Sequence, residues 1–144
     1  MNPFAHQHPE ITPEKYVLNK LDKRINYRKG LYIPCDPVQS FKVIYEEPQK
    51  ALAKYINTID KLEVLPLHPR YHIYMDLYYF NDFTYLNVIA TKLYKMSFLN
   101  NVGKNSNISI HGPVMLYGTD SNLRSCSVPY EIVEQTYRLY TNYY

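Results

Sequence analysis

Glycine is scarce in this sequence, with four residues in 144. Loops that cradle phosphates or dinucleotides need glycine so that the backbone can approach the ligand closely. The chain has no Walker loop, no GxGxxG, no HExxH and no GxSxG, so nucleotide chemistry of those kinds is not expected, and no catalytic motif replaces it. Cysteine is scarcer still. Cys35 and Cys126 stand far apart and form no CxxC pair, and two are too few for a secreted disulfide scaffold. The reading that follows is two reduced, partly buried thiols in a reducing compartment.

Long apolar runs are also missing. The longest stretch without Asp, Glu, Lys or Arg, Asn105 to Thr119, holds Asn, Ser, His, Gly and Pro. A membrane span needs about 20 mostly apolar residues. The start, Met1 to Glu10, lacks the basic and apolar regions of a signal peptide and the Arg- and Ser-rich look of a transit peptide. An intracellular, soluble protein is expected, with cytoplasm and organelle left open. The net charge of +3 is mild. It permits contact with RNA but is far from the basic stripe of a dedicated nucleic-acid binder.

What the chain has in quantity is tyrosine, 17 against 5 phenylalanines. Codon drift toward A and T would raise both, so the excess asks for a physical reason. A ring with a polar tip suits half-buried positions and protein interfaces.

Residues 1–11 read as an extended N-terminal arm, followed by one globular domain over 12–144. Thr12 is a plausible N-cap, Pro13 fits the first helical position, and Val17, Leu18, Leu21 and Ile25 recur at helical spacing up to a stop at Gly30. Phe41 to Tyr45 reads as a strand or extended connector. A second helix opens at Pro48, with a face of Leu52, Tyr55, Ile56, Ile59 and Leu62 and a limit at Pro66. Arg70 to Phe80 fits both periods and is read as helix, continuing into a helix from Asp82 to Leu99. Short strands follow at Val114 to Tyr117 and Leu123 to Val128, about a turn at Gly118 to Asn122. Pro129 opens a strongly amphipathic last helix. The expected fold is thus mainly α-helical (α+β), with four or five helices around one core and a small β-hairpin near residues 107–127.

Several groupings of polar residues bear on chemistry. His6 and His8 supply only two metal ligands on an arm, and His68, His72 and Asp76 would share a face only if their segment is helical. Cys35 or Cys126 could be drawn as a nucleophile with His111 as base, but nothing local supports it. Metals and cofactors are therefore expected to be absent, and the chain is read as not an enzyme. Lys20, Lys23, Arg24, Arg28 and Lys29, with Tyr27 and Tyr32, would be the surface of an RNA-contacting protein. The preferred reading is a non-catalytic structural or accessory subunit of a larger multiprotein assembly. Its partner-binding residues would be Tyr130, Tyr137, Tyr140, Tyr143 and Tyr144 on the last helix, with other protein subunits as partners and RNA a weaker possibility. A peripheral ribonucleoprotein component and a small His-based enzyme are the alternatives.

Overall fold

The computed structural model describes residues 26–56, 62–68, 71–76, 79, 83–98, 109–120 and 124–142. Among them the order of elements is β1 (Arg28–Ile33), β2 (Lys42–Glu46), α1 (Pro48–Tyr55), β3 (Leu62–His68), β4 (Tyr71–Asp76), a 3₁₀ turn (Phe83–Tyr85), α2 (Val88–Phe98), β5 (Val114–Thr119), β6 (Ser125–Cys126) and α3 (Tyr130–Thr141). The strands form one antiparallel sheet in the order β2-β1-β5-β4-β3. Short β6 pairs with the end of β5, at Gly118 and Thr119.

Two hairpins, β1–β2 and β3–β4, are joined by β5 lying between them. Every residue of β5 is buried, as a central strand with both faces covered requires. On one face Leu31, Ile33, Tyr71, Ile73, Val114 and Leu116 meet α2 and α3 through Ile89, Leu93, Ile132, Val133 and Tyr140. On the other, Ile44, Met115 and Tyr117 are covered by Ala51 and Ile56 at α1, with Tyr32, Tyr55 and Tyr74 at the margin. Each large aliphatic side chain buried here stabilises the fold by about 1.5–3 kcal/mol. The second face depends on a glycine. A Cβ on Gly30 would stand 2.7 Å from the Tyr117 ring, so only glycine lets that ring lie across β1.

The expectation of four or five helices around one core is corrected: the described residues hold three α-helices packed on a central antiparallel sheet, an α+β architecture. Three segments account for the difference. Gly30, read as a helix stop, is inside β1, where Leu31 and Ile33 alternate into the core. The segment read as helix from Arg70 to Phe80 holds strand β4 at Tyr71–Asp76, where the period-2 set Tyr71, Ile73 and Met75 packs into the core with α2 and α3. Leu62, assigned to the second helix, begins β3, and Pro66 lies within that strand at the sheet's edge, where a missing N–H is tolerated.

Other expectations agree with the structure. Phe41 to Tyr45 overlaps β2, Pro48 opens α1, and Pro129 precedes α3. The expected hairpin is β5–β6, closed by Asp120 N–H to the Arg124 carbonyl at 3.0 Å and Arg124 N–H to Asp120 Oδ1 at 2.8 Å. The arm of residues 1–11, the Thr12 cap and Asp82 lie outside the described residues.

Candidate interaction surface

At the Ile33 end of β1 the chain gathers Cys35, Tyr79, Tyr85, Leu86, Asn87 and the His111–Gly112 bend. Asn87 organises them. Its Oδ1 accepts the N–H of Ala90 at 3.0 Å, and its own carbonyl accepts Thr91 N–H at 3.0 Å, which makes it the N-cap of α2. Its Nδ2 donates to the carbonyls of Gly112 (2.9 Å) and Ile33 (3.2 Å). Its own N–H donates to the Ile110 carbonyl at 2.8 Å. One buried side chain thus ties a helix start, a strand end and a loop together.

Gly112 has φ of +81°, a left-handed conformation that glycine adopts without a Cβ penalty. The Tyr79 ring lies against it, 2.6 Å from where a Cβ would stand. Gly112 N–H donates to the Tyr85 carbonyl at 2.6 Å, and the Cys35 thiol donates to the same oxygen at 3.0 Å. The Tyr79 and Tyr85 rings meet edge to face, with centroids 4.8 Å apart. The backbone at Tyr85 and Leu86 is therefore held firmly while the side chains face water: Tyr85 is 41% exposed and Leu86 36%. Val38, three residues beyond Cys35 in a turn closed by Asp36, is 51% exposed.

The geometry does not suit a thiol nucleophile. Burial pushes the Cys35 thiol up, with a smaller opposing effect from Gly112 and a further upward push from Asp36, whereas a reactive cysteine needs its pKa lowered. His111 Nε2 engages Ser109 Oγ at 2.7 Å. Neither cysteine forms a disulfide. Cys126 stands opposite Gly118, at the other end of β5 from Cys35, roughly four residues or 13 Å along the strand, beyond the ~7 Å Cα separation a disulfide tolerates.

The metal reading of His68, His72 and Asp76 fails for the same geometric reason. His72 and Asp76 are four residues apart on β4, about 13 Å, and among the described residues no three His, Cys, Asp or Glu converge on a point that could hold an ion. His6 and His8 lie outside the described residues.

On α3 the tyrosines expected to bind partners divide. Tyr140 is 0% exposed, with its ring centroid 5.4 Å from that of Phe41. Tyr130 and Tyr137 are half-buried at the margin of the core, Tyr137 edge-on to Phe41 at 6.5 Å. Tyr143 and Tyr144 lie outside the described residues. Of the basic and aromatic residues near the N-terminus, Lys29 is 1% exposed inside β1, and Tyr32 packs on Tyr55 of α1 at 5.0 Å. The Tyr85–Leu86 surface was missed from sequence because Leu86 falls on the apolar core face of a helical reading of Asp82 to Leu99. The one available signal was Asn87 itself, a cap residue in the middle of that run.

Comparison of the chain with protein families, with curated proteins and with solved structures finds no match. No helix of the described residues is long and apolar enough to cross a membrane.

Proposed function

We propose that the chain is a non-catalytic accessory subunit of a multiprotein assembly, docking on other protein subunits through tyrosine-rich surfaces. The observation that supports this is the presentation of Tyr85 and Leu86. A hydrogen-bonded network built on Asn87, Gly112 and Cys35 fixes their backbone while their apolar side chains face solvent. Anchors ordered in advance lose little entropy on binding, and aromatic anchors commonly dominate interface energy. Tyr130 and Tyr137, half-exposed along α3, extend the same chemistry to a second flank. An intracellular location belongs to this reading, in keeping with two cysteines that form no disulfide.

The test is purification of the native protein at about 0.5 M salt, where phosphate-dominated contacts to RNA weaken steeply. Protein partners are expected in fixed stoichiometry, and a Tyr85→Ser, Leu86→Ser double variant with an unchanged circular dichroism spectrum should lose them. Recovery of RNA at low salt, released as salt rises, would favour the ribonucleoprotein alternative instead. Lys29, buried in β1, and Tyr32, half-buried against Tyr55 of α1, lend that alternative no support.

A further inference from the structure

The two edges of the sheet are built differently. Edge strand β3 contains Pro66, and its register with β4 shifts between Pro66 and His68. A proline and a bulge are devices that keep an edge from pairing with another chain. Edge strand β2 has neither, and its five pairs with β1 run without interruption from Arg28↔Glu46 to Tyr32↔Lys42.

The direction of the β2 backbone follows from its neighbour. Lys29 donates its N–H to Ser127 Oγ and accepts Val128 N–H at its carbonyl, so the odd-numbered residues of β1 point away from β2. The even-numbered ones pair with Lys42, Ile44 and Glu46. In an antiparallel ladder these groups alternate, and the N–H and C=O of Val43 therefore face the outer edge.

The sequence of this edge, Lys42-Val43-Ile44-Tyr45-Glu46, is complementary to itself when reversed. We propose that β2 pairs with β2 of a second copy of this chain, antiparallel about Ile44, to form a two-fold symmetric dimer with a continuous sheet. In that register Val43 lies opposite the second copy's residue 45, an aromatic beside a β-branched residue. Lys42 lies opposite the second copy's residue 46, and the symmetry makes that charge pair twice. Both pairings are of kinds that stabilise adjacent strands. The symmetry also fits the monomer. Lys42 is exposed, while Glu46 reaches Lys54 through Oε1 at only 3.9 Å and its buried Oε2 has no hydrogen-bond partner. A lysine arriving across the edge would supply a donor to that carboxylate. Among the described residues, α1 covers a face of the sheet, with Ala51 buried among Ile44, Met115 and Tyr117, and no strand lies beyond β2. This inference is independent of the docking surface at Tyr85.

A contact of five residues per strand buries less than the ~1,200 Å² of a stable complex, so the dimer is a weak one. The experiment is sedimentation velocity on the intact chain across about 5–500 µM, a range suited to weak interfaces, with folding followed by circular dichroism. The wild type should shift from monomer to dimer with concentration. Lys42→Glu, which sets acid against acid twice, should weaken association about tenfold, and Lys42→Glu with Glu46→Lys should return it to within about twofold of wild type. Val43→Pro removes an outward N–H that β1 does not use and should abolish the dimer. A wild type that stays monomeric throughout the range overturns the proposal. So does a dimer that is indifferent to the charge reversal and its rescue, a comparison that holds even if the proline variant fails to fold.

Discussion

Replacing Asn87 probes the junction on which the interaction surface depends. In Asn87→Ala the Ala90 N–H loses its cap acceptor, worth about 1 kcal/mol, and the buried carbonyls of Ile33 and Gly112 lose the Nδ2 donor. A buried acceptor left without its partner costs roughly 1–3 kcal/mol. The Ile33 carbonyl is partly spared, because Ile33 also pairs with Val114 in the sheet. The expected loss is about 2–4 kcal/mol, a large share of the ~5–15 kcal/mol typical of a domain. Asn87→Ser separates the two roles, since its hydroxyl still caps the helix but cannot bridge the two carbonyls. It should recover about 1 kcal/mol relative to alanine. Urea unfolding followed by circular dichroism measures both, with the slope checked for constancy. An alanine variant within about 0.5 kcal/mol of wild type, the range of ordinary surface changes, would refute the reasoning. A serine variant no better than alanine would refute the capping role alone.

Gly30→Ala places a Cβ 2.7 Å from the Tyr117 ring and should cost about 1–3 kcal/mol by overpacking, visible as a lower thermal midpoint; unchanged stability would mean that the ring moves freely. Tyr140→Ala removes a fully buried ring and should cost about 3–5 kcal/mol. Tyr137→Ala, at the margin, should cost clearly less in the same melts, and equal losses would contradict the division of α3 described above. Burial pushes the phenols of Tyr117 and Tyr140 above their ordinary value. Glu46 and then Tyr74 add to the shift at Tyr117, and Tyr32 and then Asp36 at Tyr140. The unfolded chain releases these protons near pH 10 while the folded chain keeps them. Stability is therefore fully present below about pH 10 and falls above it by up to about 1.4 kcal/mol per pH unit for each tyrosine. Urea midpoints that stay level from about pH 9 to about pH 11 would refute this.

How much of the fold the sequence disclosed depended on whether a segment's period was decided locally. Pro48 and Pro129 marked helix starts by a property of their own rings, and Asp120 to Arg124 closed a turn with their own hydrogen bonds. Tyr71 to Asp76 satisfied both periods, and the choice fell to a partner strand, β5, far away in sequence. Gly30 illustrates the same limit. In isolation it resembles a helix terminus, and only the Tyr117 ring across the sheet explains it as strand. On α3, amphipathic spacing identified the apolar side but not its rim, because Tyr137 and Tyr140 carry the same side chain and differ only in where Phe41 sits. The Tyr85–Leu86 surface was hidden by the same logic, since exposure of an apolar side chain is a property of the assembled fold.

The place of β5 between two hairpins has a consequence during synthesis. The β1–β2 and β3–β4 hairpins are local in sequence and complete early, yet each then presents an unpaired inner edge, at β1 and β4. Those edges are sealed only when Val114–Thr119 inserts between them, late in a chain that grows from the N-terminus at ~5–20 residues per second. Pairings made across most of the sequence fold slowly compared with local ones. For several seconds on the ribosome the nascent chain thus carries two open strands and the apolar faces that flank them. Until Val114–Thr119 is in place, the inner edges of β1 and β4 are open to pairing with other chains, the hazard that any unpaired strand edge carries.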